Sequence, residues 1–325
     1  MKKAVLALAG LTVIAVAAEA LFLSQVYIDP LRLGALFECL ALILGAFVAF
    51  TDAGFVHVLR KWALKSAAIA FLMPFVLLVP YLILALSTKT FSWIGFSKLI
   101  AYIAVPILLL LPDRIHGKES AGWRDFAAML SLGFPVSAGW LTGIWIWPED
   151  IYVFRPLFCV CVAAYAFLVI RDLRDVGYKL VLKKADFMEG SINFVAFTIV
   201  GIPLGLMLHF IHPHAHNVSV PTFIADFVGI YLSVAIPEEF LFRGILQNFL
   251  VKTFHGPRRV RYGLILASVI FGLSHLHHAP VPNWRYAIMA TIAGLLYGNA
   301  YRVRKRTSAS AFAHAMVDTV WHFWF

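Results

Sequence analysis

Charge is scarce in this chain. Lys, Arg, Asp and Glu make up 14% of its 325 residues, where soluble domains carry about 25%, and 62% of the residues are hydrophobic. That shortage excludes a water-soluble shell around a single core, and lipid is the solvent the composition fits. Cysteine is scarce too: Cys39, Cys159 and Cys161 all stand in apolar runs. They supply neither a disulfide framework nor a CxxC knuckle and read as small buried residues. Internal repeats, low-complexity tracts, soluble linkers and an HExxH metalloprotease signature are absent from the sequence.

What is present is a series of uncharged stretches approaching the roughly 20 residues that cross a bilayer. The pattern predicts an all-α, polytopic transmembrane helical bundle of about 11 spans, with about 8 as the lower bound. The spans fall at 4–24, 33–50, 67–86, 98–111, 126–147, 152–170, 191–211, 223–250, 262–276, 286–301 and 309–325. The first follows Lys2 and Lys3 and resembles a signal peptide with a weak Ala18-Glu19-Ala20 cleavage pattern, but its apolar run continues through Leu23, so an uncleaved helix is expected. The eighth is long enough for one tilted helix or two pieces.

A net charge of +10 would suit nucleic acid if the basic residues were clustered, but they punctuate the apolar runs instead. Most fall in alternate loops, such as Arg60, Lys61 and Lys65, or Arg302, Arg304, Lys305 and Arg306. This is the positive-inside pattern: it predicts a cytoplasmic amino terminus, Phe325 on the outer side, and anionic lipid headgroups as partners of the basic face, with no nucleic acid. With the Lys2-Lys3 start and compact loops, a bacterial inner membrane is the expected location. The longest polar interruption, 171–189, is expected to be a cytoplasmic interfacial amphipathic helix. It divides amino-terminal helices (1–189) from a carboxy-terminal core of spans (190–325).

The eighth span sets Glu238, Glu239 and Arg243 in hydrocarbon, at roughly 2.5 to 3.5 kcal/mol per ionisable group, so they need partners or a wet cavity. Glu239 and Arg243 are four apart, in the order that favours an ion pair. Glu238 is turned from them by about 100° and can face something else. The ninth span ends Phe271-Gly-Leu-Ser-His275 and the last contains His314-Ala-Met-Val-Asp318. Both pairs have i, i+4 spacing, which sets Phe271 beside His275 and Asp318 within reach of His314. Glu238, the acid not paired with Arg243, suits general base work. All of these side chains also suit helix packing, and that reading is strongest for Glu239 with Arg243. Two histidines with carboxylates also suit zinc, with Glu238, His275 and His314 as the ligand set.

Glu238-Glu239-xxx-Arg243, Phe271-xxx-His275 and His314-xxx-Asp318, in this order on successive apolar segments, resemble the three motifs of the CPBP family, which includes the type II CAAX prenyl proteases and bacteriocin-processing enzymes. The resemblance covers roughly 190–325. It implies a glutamate-dependent intramembrane endopeptidase without a cofactor, acting on a membrane protein or peptide. Glu238 and His275 would then activate a water, His314 and Asp318 would correspond to the oxyanion pair, and Glu239 and Arg243 would support the first glutamate. Asp318 stands where the prenyl-protease branch has asparagine. An ionised aspartate repels an oxyanion, so Asp318 is expected to orient and charge His314, which acts as the donor.

A non-catalytic role, in bacteriocin immunity or in solute or proton transport, is the alternative. A transporter more often shows an internal repeat. His209, His212, His214, His216, His277 and His278 gather near the outer loops. They read as polar loop residues, with a metal or proton-sensing patch as the sharper alternative. Gly294-xxx-Gly298 reads as a close-packing motif, and Trp140, Trp145 and Trp147 as an aromatic belt.

Overall fold

The computed structural model describes residues 29–115 and 120–325; the expected first span, 4–24, lies outside them. Eleven helices and no strand occur among the described residues. They are α1 (Pro30–Ala49), α2 (Ala53–Lys65), α3 (Ala67–Thr88), α4 (Trp93–Asp113), α5 (Trp123–Ser137), α6 (Phe154–Ile170), α7 (Lys184–Met207), α8 (Val220–Thr253), α9 (Arg259–Leu273), α10 (Trp284–Arg304) and α11 (Thr307–Trp324). Five of them, α1, α3, α4, α7 and α8, are long and apolar enough to cross a membrane, and α6 is a shorter apolar helix. This is an integral membrane architecture.

Several helix starts are written locally. Asp29, Asp52, Ser92, Ser219 and Asn283 each accept a hydrogen bond from a backbone N–H of the first turn that follows, which satisfies a donor the helix cannot. Pro30 and Pro221 stand in first turns, where a missing N–H costs nothing.

The chain forms two compact units that meet in sequence at Arg174 and Asp175. In the amino-terminal unit, nearly every residue of α6 is buried, as expected of a helix apolar on all sides. Arg171, just past its end, pairs with Asp125 of α5 at 2.7 Å, both buried. Two expectations are corrected here. The span set at 126–147 is helical only to Ser137, and 138–153 runs through turns. Trp145 is no belt residue: it is buried against Phe154 and Phe158, at centroid distances of 5.9 and 5.6 Å.

The carboxy-terminal unit holds α7 to α11. α10 packs between α9 and α7, and α11 packs on α7, α10 and α8. The approach of α10 to α9 needs Gly294 and Gly298: a Cβ on Gly298 would overlap Leu264 Cδ1, and one on Gly294 would stand 3.2 Å from Phe271 and Ser268.

The interfacial helix expected over 171–189 does not form; residues 172–183 carry no helix, and α7 begins at Lys184. The reason lies in the partners of its backbone. The carbonyls of Asp175 and Val176 accept from the Tyr301 hydroxyl, that of Gly177 from the Thr307 N–H, that of Leu180 from Tyr231 and that of Val181 from Arg306. A helix would use those carbonyls internally. Gly177 has φ +64°, and a Cβ there would overlap the carbonyl of Lys305. Gly177→Ala is therefore expected to cost about 2 to 4 kcal/mol, from left-handed strain plus overpacking. Thermal unfolding in detergent reads it, and an unchanged midpoint would mean that the loop yields. One turn into α7, buried Asp186 accepts from Arg304, Arg306 and Ser308 at 3.0, 2.7 and 3.1 Å, pinning α7 to the corner between α10 and α11.

Candidate active site

α8 carries the acidic pair on an irregular stretch. A single α turn, Ile236–Glu239, lies between π-helical segments at Tyr231–Ala235 and Phe240–Gln247. Pro237 contributes by lacking the N–H that an ordinary turn would use. π turns widen a helix and recur at functional sites. The thirty-four-residue α8 is thus one continuous helix, not two pieces.

Glu239 and Arg243 are sealed from solvent. One oxygen of Glu239 accepts from Arg243 Nε at 3.1 Å, and the other accepts from His314 Nδ1 at 3.0 Å. The guanidinium lies over the Phe271 ring, 4.8 Å from its centroid, a cation–π contact. Both of its Nη atoms are buried without a hydrogen-bond partner.

His314, on α11, is the hub. Its Nε2 lies 3.3 Å from Asp318 Oδ2 and 3.9 Å from Glu238 Oε2. With a carboxylate at each ring nitrogen, the arrangement suits the imidazolium, the form with two N–H donors. The Asp318 contact is long for a charge-assisted bond, which is ordinarily about 2.7 to 2.9 Å, so the Nε2–H can be shared with a third acceptor. Glu238 and Asp318 form the open side of the cluster, with side-chain exposures of 32% and 29%. Glu238 Oε2 is buried and has no hydrogen-bond partner.

His275 stands just past the end of α9. Its Nδ1 lies 2.8 Å from the Phe271 carbonyl; a carbonyl only accepts, so Nδ1 carries a proton and, in the neutral ring, Nε2 keeps its lone pair. Among the described residues no hydrogen bond joins His275 to Glu238. Phe271 stands between the histidines, 4.8 Å from the His275 centroid and 5.8 Å from that of His314. The structure therefore joins Glu238, Glu239, Arg243, His314 and Asp318 directly, and His275 through a ring.

Residues 220–320 match the family model Type II CAAX prenyl endopeptidase Rce1-like. The Rce1-like segment runs from the start of α8 into α11 and contains the whole cluster. It points to membrane-embedded proteolysis as the class of activity. No curated protein and no solved structure matches the chain.

Three residues of the Rce1-like segment escape sequence reading. Tyr297 stacks on His314, Tyr286 packs on His275, and Gln247 donates from Nε2 to the Gly298 carbonyl at 3.1 Å. Their signal is the recurrence of large side chains on one face of α10 and of a polar side chain one turn after Arg243. Of the outer histidines, His278 stacks on His275 at 5.7 Å between centroids and lies 4.2 Å from the ring of its neighbour His277, but among the described residues no group of three or more His, Cys, Asp or Glu is placed to hold a metal ion. His278, in the loop beyond α9, is held below the ordinary imidazole range, first by burial and then by its neighbour His277.

Proposed function

We propose that the chain is an intramembrane endopeptidase that hydrolyses a peptide bond near or within the membrane segment of a protein or peptide. The observation that carries this reading is Glu238: a half-exposed acid with one buried, unpartnered oxygen beside His314, inside an Rce1-like segment. An orphaned carboxylate oxygen in a low dielectric is a ready partner for water.

In this mechanism a water donates one proton to Glu238 and its oxygen attacks the substrate carbonyl carbon. The unprotonated Nε2 of His275 accepts the water's other hydrogen and aligns it. Negative charge moves to the carbonyl oxygen, where His314 Nε2–H supplies the preorganised donor. As the C–N bond breaks, Glu238 returns its proton to the departing amine. Glu239 and Arg243 hold His314 from behind, and Asp318 keeps it charged and aimed. Asp318→Asn is accordingly expected to lower turnover about tenfold or more and to alter its pH dependence; full activity across pH would remove that role.

The reading needs no metal. Purified protein is expected to cleave in the presence of a chelator, whereas loss of activity restored by zinc would make Glu238, His275 and His314 ligands. We further propose about eleven crossings, a cytoplasmic amino terminus and a bacterial inner membrane, with anionic lipids at the basic face. The deciding experiment is membrane proteomics of cells carrying the wild type or Glu238→Ala, in which substrates are expected to lengthen in the variant. Cellular function that survives both Glu238→Ala and His275→Ala would favour an immunity-like or transport role.

A further inference from the structure

α10 sets a tyrosine against each of the two histidines. Tyr297 lies 4.6 Å from His314 between centroids, with only 14° between the ring planes. Tyr286 has its ring 4.6 Å from that of His275. The two tyrosines are three turns apart and point within about 20° of the same direction. Between them this face carries Ala290 and Ala293, which form one buried cluster with Phe271 and Tyr297. The alanines admit the Phe271 ring, which meets both histidines and stands edge-on to Tyr297 at 6.2 Å.

The two contacts differ in kind. The Tyr286 ring is tilted by 52° to His275 and packs also on Phe210, Trp321 and His278, so it belongs to an aromatic cluster. Tyr297 is buried and lies flat on the imidazole of His314. The negative face of a phenol ring attracts a cation stacked on it, and His314 has an acceptor at each nitrogen. Glu239 and Asp318 thus hold His314 at its two ring nitrogens, whereas Tyr297 covers one face of the ring. The other charged or titratable groups around it are Glu238 and Arg243 from α8 and His275 beyond Phe271.

We infer that Tyr297 is a positioning residue, whose ring face holds His314 flat and charged between Glu239 and Asp318. It touches no reacting atom; its effect passes through the direction of the His314 Nε2–H. Only the catalytic consequence rests on the proposed peptidase reading, because the hold on His314 is a property of the folded protein.

The test uses full-length protein in lipid vesicles, labelled with 15N-histidine, with the His314 signals assigned by their loss in His314→Gln. Exchange of the His314 ring N–H protons with solvent reads how often the imidazole leaves its carboxylates. Tyr297→Leu is expected to speed that exchange about tenfold, the scale of a desolvated cation–π contact, whereas Tyr297→Phe, which keeps the ring, stays within about twofold of wild type. Turnover of a membrane peptide should fall about tenfold in Tyr297→Leu with KM unchanged, and hold in Tyr297→Phe. Thermal unfolding accompanies each variant, and Tyr297→Met replaces Leu if Leu does not fold. Equal exchange in wild type and the ringless variant overturns the inference, as does Tyr297→Phe behaving like Leu, which would assign the effect to the hydroxyl. Exchange that changes as expected in a protein cleaving no peptide would sink the peptidase reading and leave this one standing.

Discussion

Glu238→Gln is expected to lower peptide turnover about a hundredfold to ten-thousandfold, the range assigned to a lost general base, while thermal unfolding stays within about 2 °C of wild type. The two halves of that expectation come from one observation. Glu238 holds one buried oxygen with no hydrogen-bond partner, and its nearest charged neighbour, His314, stands 3.9 Å away. A side chain that gives the fold no hydrogen bond there can change to its neutral isostere without loosening it. Removing the charge nevertheless removes the only member of the acidic pair open to a water. Kinetics on a quenched peptide with reconstituted protein, read beside a melting curve, check both halves. A variant that keeps wild-type turnover would mean that another group takes the proton.

Arg243→Met is expected to behave in the opposite way, with a loss of about 3 to 5 kcal/mol in stability, the usual cost of leaving one member of a buried ion pair unpartnered. Glu239 has no access to solvent; Arg243 and His314 donate to it, and the Ser310 side chain also interacts with it. Without the guanidinium, a single imidazole is the cation left beside its charge. The double variant Arg243→Met with Glu239→Gln removes both charges and is expected to recover part of the loss, because the penalties of neighbouring sites are not additive. Denaturant titration of the three proteins in one detergent measures it. A single variant within about 0.5 kcal/mol of wild type would mean that water or another residue replaces Arg243.

The contrast between these neighbours explains how far the sequence could be read. Ionisable residues in hydrocarbon stand out, so Glu238, Glu239, Arg243, His314 and Asp318 were visible as a set before any fold was known, and i, i+4 spacing was enough to pair Glu239 with Arg243. Contacts between helices are not written in the period of any one of them. Tyr297 and Tyr286 read as ordinary apolar-span residues until α10 is packed beside α9 and α11. The tie from His275 to His314 through Phe271 depends on the same packing.

Element boundaries show a similar division. The span set at 98–111 begins earlier, at Trp93, because Ser92 caps the first turn and Lys98 does not end the helix; it donates from Nζ to the Trp140 carbonyl at 2.8 Å. α2 was not anticipated, since its Arg60, Lys61 and Lys65 read as loop charges, yet Asp52 caps it and it forms thirteen residues of helix. Residues 172–183 failed as a helix largely for a reason outside the segment: side chains more than fifty residues away hold their carbonyls, and Asp172, Asp175 and Gly177 take left-handed φ.

That last segment also sets a dimension of the cluster. Its residues 175–183 tie the α10–α11 corner, through Tyr301, Arg306 and Thr307, and the middle of α8, through Tyr231, to one short length of backbone. Tyr231 lies two helical turns before Glu238, and Thr307 two before His314. The height of the acid relative to the imidazole is therefore gauged by a strap that contains neither. Lengthening the strap by one residue would leave every motif intact and still slide α11 along α8 by up to about 3.5 Å, enough to separate Glu238 from His314.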